Sequence, residues 1–496
     1  ITAINRKDSD NSSDTIKLDY NALKDFQKQN QYDVTFTQSK EFLRYHVIGR
    51  FAYNMVFPIY VSDMDVAIVK RAIMMFIDRH EILRTKYLFE NGKVKQRIFE
   101  NVNEQDFIKT LVSMKGENIE DRLRWEYENS SNQQFDFEND FLISIKIGKL
   151  SEESQGILVC IHHAISDARC AEIIQTEIRE LYNSIINNRN SELKPLKFQA
   201  KEYAYLIKKM SNDSESSAFY KKSIVDSLSL NGTSYSELKK LKKNRYRNKL
   251  KTEIKKTQLI EGKELVEIPQ AYGHLYNLIP KNNGGHYSFF LKPEELKKLE
   301  KISSDYGKSN FVVLLTLFAL VNLELKSEKS TRTLIPFSQR ITEELNDLIG
   351  WMVSEVLVVI SISDEMSMKQ LVNNVSETIV EASQHRFYHH ERILNELNLD
   401  LNVLAPELVN YAIVDEEYNA DLTSKHIKEK GVKTHFNHSV TFQHYLNCIR
   451  IDSVYKLDYL DNHQMEIFWQ TFLEKVELLF ENSDCLLSQL QKNEVF

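Results

Sequence analysis

The residues of this chain whose types and spacing could do chemistry are His162, His163 and Asp167, in the run Ile161-His162-His163-Ala164-Ile165-Ser166-Asp167-Ala168. Imidazole is the side chain whose proton is most easily moved near neutral pH. A carboxylate four residues beyond the second histidine could fix the shape of such a loop, by reaching back across the turn or by pairing with an arginine. Residues 156–161, just before, form an apolar run of the length a buried strand has. Residues 171–182, just after, repeat apolar side chains at three- and four-residue spacing, as an amphipathic helix does. The set therefore falls on a strand-to-helix loop, a place where rigid elements hold reactive side chains.

Composition sets the outer bounds. The chain has 496 residues, 42% of them hydrophobic, enough for two domains with cores of their own. A net charge of -7 and a pI near 6.1 give no general pull toward nucleic acid or anionic membrane, so neither is an expected partner. No run approaches the roughly eighteen apolar residues of a spanning helix. The polar opening, residues 1–10, is unlike a secretion signal, and the cytoplasm is the expected compartment. The four cysteines, Cys160, Cys170, Cys448 and Cys485, show no CxxC spacing and read as small buried residues kept reduced.

In chain order, residues 35–45 open a helical pattern, 54–61 read as a strand, and 66–78 form an amphipathic helix with Val69, Ile73, Met74 and Ile77 on its apolar face. Residues 86–89 and 96–99 are expected strands joined through a turn at Asn91-Gly92. The middle, residues 187–283, is mostly polar. Within it, residues 239–256 carry ten Lys or Arg in eighteen positions. That stretch reads as a solvated or mobile insertion, with a docking surface for an acidic protein as the functional alternative. The second half has expected strands at 286–291, 333–340, 350–359, 408–414 and 439–445, and helices from Pro293, from Asn310 and over 464–479. Both halves share an order of strand, helix and strand. The expected architecture is α/β (α+β): a lobe at 1–195, a connecting region or insertion at 196–285, and a second lobe at 286–496. His385, His389 and His390 could in principle bind zinc, but no cysteine or well-spaced carboxylate completes four ligands, so no metal is expected.

Several ordered elements resemble a condensation domain of nonribosomal peptide synthesis, in the superfamily of chloramphenicol acetyltransferase-like acyltransferases. Arg79-His80-Glu81-Ile82-Leu83-Arg84-Thr85-Lys86-Tyr87 follows the family's RHExLRTxF element, and Phe135-Asp136-Phe137 with Leu142 its pFDL segment. His162-His163-x-x-x-Asp167 matches HHxxxDG, and Glu202-Tyr203-Ala204 is similar to DYA. Pro336 to Arg340 match the end of GxPxxxR, Ile349-Gly350 to Leu357 fall on iGxxxNxxP, and His389-His390-Glu391 through Leu397 lie on hQdxPFexL. The sequence departs from these elements at Ala168, Leu334, Glu202, Ser354 and Leu357. Where the glycine after the motif aspartate requires positive φ, Ala168 would be strained.

The resemblance implies two acetyltransferase-like lobes in a V-shaped pseudo-dimer with a central tunnel. It implies acyl transfer from the phosphopantetheine thioester of an acyl or peptidyl carrier protein to an amine, with no tightly bound cofactor. The acceptor is a small-molecule amine or is held on a second carrier protein. His163 is the expected catalytic residue, as general base or as hydrogen-bond partner of the amine. His162 is expected to be structural, and Asp167 to pair with Arg340. Ala168, Ser338, Gly350, Trp351, Ser354 and Gln443 are the expected tunnel residues. A coenzyme A-dependent O-acyltransferase and a catalytically silent binding module remain open alternatives. With no carrier or adenylation signature present, activated substrate is expected to arrive from elsewhere. Reversing most of the basic residues of 239–256 to glutamate is then expected to raise the apparent KM for an acyl carrier several-fold at low salt and to leave the KM for the amine nearly unchanged. Equal effects on both would return that stretch to a plain insertion.

Overall fold

The apolar runs and amphipathic segments assemble, in a computed structural model of the chain, into two lobes of sheet and helix that meet at the loop carrying His163. The structure describes residues 18–48, 53–61, 64–111, 118–150, 155–211, 213–232, 281–397, 407–418, 426–434, 436–482 and 485–490.

The first lobe is built on strands β2 (Asn54–Val61), β5 (Ile108–Thr110), β6 (Ile143–Lys149) and β7 (Gln155–His162), in the spatial order β2-β7-β6-β5. The central strand β7 is buried from Gly156 to His162, which is why it reads as a continuous apolar run with no alternation. A small sheet of β1 (Tyr32–Asp33), β4 (Lys93–Ile98) and β3 (Thr85–Glu90) lies beside it. Asn91 and Gly92 turn β3 into β4 with φ of 52° and 74°, the paired positive values that a two-residue hairpin requires.

Helix α1 (Phe36–Ile48) precedes β2, and helix α2 (Val66–Arg79) starts on Asp65, whose carboxylate accepts from the N–H groups of Ala67 and Ile68. Helix α3 (Ile119–Ser131) lies against β2, and α4 (Ala168–Ile186) packs on α2. The Arg79-His80-Glu81 step at the end of α2 is tied down chemically. Arg79 Nε reaches Glu177 Oε2 of α4 at 3.0 Å, and His80 Nε2 lies 2.7 Å from the same oxygen.

Helices α5 (Ala200–Met210) and α6 (Ser214–Leu230) occupy part of the stretch read as a connecting region. Helix α6 packs on the second lobe, where Ser227 Oγ and Ser330 Oγ are 2.7 Å apart. The basic stretch 239–256 lies outside the described residues.

The second lobe carries one seven-stranded sheet, β8 (Lys281–Leu291), β9 (Ser330–Ser338), β10 (Val353–Ser361), β11 (Glu407–Ile413), β12 (His426–Thr434), β13 (His438–His444) and β14 (Ile449–Lys456). Their order is β10-β9-β11-β13-β14-β8-β12. Two of these strands escape the sequence reading. β12 is an edge strand of charged sequence, with lysines where a core strand would carry apolar residues. β14 does alternate, but Asp452 and Ser453 interrupt the apolar signal.

Helix α8 (Asn310–Lys326) is buried at every position from Phe311 to Leu323, so it is apolar all round as a core helix must be. Around it pack α7 (Pro293–Tyr306), α9 (Met368–Gln384) and α11 (Asn462–Glu481). The short helix α10 (Glu391–Leu397) follows α9. Among the described residues no single helix is long and apolar enough to cross a membrane.

Replacing Glu177 by alanine removes the acceptor of both Arg79 and the fully buried His80. The expected cost is about 3 kcal/mol of unfolding free energy, read from urea denaturation. Glu177→Gln, which keeps one acceptor oxygen, is expected to cost less. Unchanged stability of the alanine variant would show that this cluster does not hold α2 to α4.

Candidate active site

Strand β7 ends at His162, a single 3-10 turn spans His163–Ile165, and α4 begins at Ala168 with Asp167 as its cap. The cap uses the Asp167 carboxylate to accept from the Cys170 N–H at 3.2 Å. Ala168 is the first residue of the helix and is absent from the described residues of positive φ. The expected strain at Ala168 is therefore not found: a helical N-terminus accommodates any Cβ. His162 points into the lobe and is buried. Its Nδ1 accepts from the Ala164 N–H at 3.0 Å, so its proton sits on Nε2, and the rings of Phe137 and Phe135 meet it edge-on. Burial, with His163 and Arg44 nearby, lowers its pKa to about 3.

His163 lies where the two lobes touch. The antiparallel register pairs Asn54 with His162, which sets Tyr53 opposite His163 one step further on, and the His163 N–H donates to the Tyr53 carbonyl at 2.7 Å. The Tyr53 ring stacks on the imidazole with centroids 4.6 Å apart and planes at 21°. Trp351 of the second lobe stands 4.4 Å from the imidazole and 6.0 Å from the Tyr53 ring. That last distance is far below the sum of the other two, so Trp351 covers the side of the imidazole and not the face opposite Tyr53. Nδ1 of His163 is buried without a hydrogen-bond partner, while the residue as a whole is only half-buried. Its accessible ring nitrogen is Nε2. Burial lowers the His163 pKa, opposed by backbone groups of His163 and Ser166 and by the charges of Asp167 and Glu41, so at neutral pH the ring is an uncharged acceptor.

Asp167 and Arg340 meet as expected. Arg340 Nη2 lies 3.0 and 3.1 Å from the two carboxylate oxygens, and both side chains are almost fully buried. Arg340 also donates to the carbonyls of Leu348, at 2.7 Å, and Gly350, at 3.3 Å. The Met352 N–H donates to Asp167 Oδ2 at 3.1 Å. The segment Gly350-Trp351-Met352 is thus pinned to the motif loop on both sides of the tryptophan. Tyr203 of α5 adds another bridge, its hydroxyl donating to Gln339 Oε1 at 2.6 Å.

The remaining expected residues are spread more widely. Ser338 ends β9 and accepts from the Arg340 N–H at 3.1 Å. Ser354 is buried on β10 with an unpartnered hydroxyl. Gln443 sits on β13 and accepts from the Tyr445 hydroxyl at 3.2 Å. The three histidines near 385–390 do not converge. His385 pairs with Ser216 Oγ at 2.8 Å, His389 stacks on Phe36 at 4.3 Å, and His390 Nδ1 donates to the Glu355 carbonyl at 3.0 Å. Among the described residues no group of three or more potential ligands could hold a metal ion.

Sequence reasoning missed a buried charge cluster on α1. Lys40 Nζ lies 3.2 Å from Glu391 and 3.9 Å from Glu355, both in the second lobe, and Glu41 pairs with Arg44 at 3.4 Å. Arg44 lies over the Tyr53 ring at 5.4 Å. The available signal was three charged residues inside a helix whose other positions from Thr37 to Tyr45 are also buried. Tyr53 left no signal at all, because its role depends on strand register.

Two further departures are neighbours in the fold. Leu334 and Leu357, standing where the resembled elements have glycine and proline, are direct cross-strand partners on β9 and β10 and both are buried. Each fills space against the other.

The family model described as Condensation domain matches residues 28–261 and 258–493, and the chain belongs to that family. It is 24% identical to bacitracin synthase 3 of Bacillus licheniformis over 383 residues, 77% of this chain and 5% of the relative. The chain thus spans a small fraction of the length of the synthetases it matches. Among solved structures it is similar to the X-domain from teicoplanin biosynthesis, with a TM-score of 0.69, 16% identity, and 95% and 99% of the two chains covered. It is also similar to the first condensation domain of the calcium-dependent antibiotic synthetase in complex with a substrate analogue, with a TM-score of 0.62, 12% identity, and 92% and 98% covered. The fold is that of condensation domains, the two-lobed pseudo-dimer of acetyltransferase-like halves that the motifs led us to expect.

Burial also lowers the pKa values of His389 and His438 to about 3, as it does for His162. The unfolded chain takes up these protons near pH 6.5 and the folded chain refuses them until about pH 3, so the stability they carry is whole above pH 6.5 and falls as pH drops. Each such histidine contributes a slope of about 1.4 kcal/mol per pH unit in that window. Denaturation curves at pH 7.5, 6.0 and 5.0 are expected to show a steady loss. Equal stability at all three would contradict the buried neutral assignment.

Proposed function

We propose that the chain moves an acyl or aminoacyl group from the phosphopantetheine thioester of an acyl or peptidyl carrier protein to an amine acceptor. The observation that carries this reading is His163: an uncharged imidazole with an accessible Nε2, at the meeting of the two lobes. The amine nitrogen attacks the thioester carbonyl carbon and the C–N bond forms. The proton released from that nitrogen passes to His163 Nε2, and then to the departing sulfur as the C–S bond breaks. The products are an amide and the carrier's free thiol, and His163 is neutral again. The two substrates would approach along a tunnel between lobes 1–195 and 286–496. Ala168, Ser338, Gly350, Trp351 and Ser354 are proposed wall positions. Gln443 is a further proposed wall position.

A second reading is a carrier-binding module without turnover. The specific observation favouring it is Trp351, which occupies space directly beside the imidazole.

Both readings meet in one experiment. The protein is incubated with acyl-loaded carrier proteins and a panel of amines, and products are read by mass spectrometry. His163→Ala is expected to lose product formation by at least about a hundredfold while melting as the wild type does. Asp167→Ala is expected to lose rate and also about 3–5 kcal/mol of stability, because it strands a buried guanidinium. Full activity of His163→Ala sinks the catalytic assignment. Carrier binding with no product from the wild type establishes the second reading.

A further inference from the structure

Away from His163, the two lobes and the connecting helices enclose a cavity of about 280 Å³. Phe36, Ser39 and Leu43 of α1 line one side of it, at the three- and four-residue spacing that puts side chains on one helix face. Lys40 and Arg44, on the next face round, are the residues that reach Glu391 and the Tyr53 ring. The cavity and the His163 site therefore lie on adjoining faces of one helix. The β3–β4 hairpin supplies Phe89 and Val94, α5 supplies Ala204 and Ile207, and the second lobe supplies His389 and Arg392. A ligand held there touches both lobes at once.

Most of the wall is apolar, and Val34, Leu43, Val94, Ala204 and Ile207 are all buried. An apolar cavity of about 150 Å³ takes benzene, so this one has room for a ring with a short chain. The polar groups are few. His389 is 8% exposed, and its imidazole stacks on Phe36 with centroids 4.3 Å apart. Among the described residues no hydrogen bond reaches either of its ring nitrogens, yet both nitrogens keep accessible surface. In a residue this enclosed, that surface belongs to the cavity it lines. Burial lowers its pKa to about 3, so it meets a ligand as a neutral ring. Arg392 lies over the same Phe36 ring at 5.5 Å, and its Nη1 donates to the Ser211 carbonyl at 2.6 Å. Lys93 and Lys208 stand exposed at the mouth. Asp33 is the single acid of the lining, and both Lys95, at 2.5 Å, and Lys208 pair with it. The lining is cationic on balance, which favours an anion over a cation or a neutral ligand.

We propose that this cavity binds a small aromatic carboxylate, its ring among Phe36, Leu43, Val94 and Ile207 and its carboxylate facing the charges of Arg392 and Lys93 beside the His389 ring. The site is separate from the acyl-transfer centre and stands whether or not that reading holds. Its occupant is held by both lobes, on the helix that also carries the Lys40 contact between them.

The test titrates 3-phenylpropanoate into the full chain by calorimetry, beside its neutral amide and acetate. A Kd of about 1 mM or below is expected for the acid, as its roughly eleven non-hydrogen atoms allow. The amide lacks the charge and acetate lacks the ring, and each is expected to bind at least about tenfold more weakly. Labelling with ¹⁵N at histidine locates the site: the His389 ring signals, identified by their loss in His389→Phe, are expected to move with the same Kd. Ala204→Phe, which fills the cavity, is expected to abolish binding, and Arg392→Gln to weaken it about tenfold. Lys93→Glu, on the exposed hairpin, puts the fold at no risk. It is expected to weaken binding about threefold or more at low salt and by less at high salt. An acid that does not bind, an amide that binds as tightly, or His389 signals that stay still as the acid binds overturns the proposal. So does binding that survives Ala204→Phe and Lys93→Glu unchanged, which would put the acid elsewhere on the chain.

Discussion

The buried pair of Asp167 and Arg340 is the interaction on which the arrangement of the lobes depends. Taking a carboxylate and a guanidinium out of water is expensive, and their attraction repays the cost only when the remaining lone pairs and N–H groups are also matched. Here they are matched from both lobes: Met352 and Cys170 supply N–H groups to the acid, while Leu348 and Gly350 supply carbonyls to the base. A pair of leucines in this place could be as stable. It would not fix the angle and depth at which the loop 349–352 meets the motif loop. The ion pair contributes geometry, since any displacement leaves a buried charge unmatched.

The second buried charge cluster, on α1, works on the same principle at another contact between the lobes. Lys40 keeps its proton although burial opposes it, because Glu355, Glu391 and Glu41 surround it. His163 sits between these two ionic regions without bonding to either. Aromatic rings insulate it, and burial keeps it uncharged, while Tyr53 remains a neutral phenol with a pKa pushed up to about 12. A neutral base that belongs to neither ion pair can accept a proton without first having to break one. The neighbouring Cys170 offers no competing nucleophile, since burial raises its thiol pKa to about 12.

Divergence from the family's motifs is absorbed locally. Ala168 costs nothing because the position is the first turn of a helix. Glu202 reaches the Gln199 N–H at 2.9 Å and closes a helix cap, as a shorter aspartate would in its own way. Leu334 and Leu357 stand opposite each other across one strand pair. Ser354 is the departure that the structure does not explain, with a buried hydroxyl that finds no partner.

The sequence by itself determined the parts of this protein whose cause is local. The unbroken apolar run of β7 and the periodic face of α4 declared a strand and a helix, and so placed His162, His163 and Asp167 on a loop between them. The same local reading found the Asn91-Gly92 turn, the amphipathic α2 and the helix that starts at Asn310. It missed β12, an edge strand whose sequence carries no apolar run, and it gave no reason to look at Tyr53. Only the tertiary structure decided what surrounds His163. Tyr53 meets it through the register of β2 against β7, and Trp351 through an ion pair between residues far apart in sequence. Register and lobe contact arise from the packing of distant segments, whose energies no short window of residues contains.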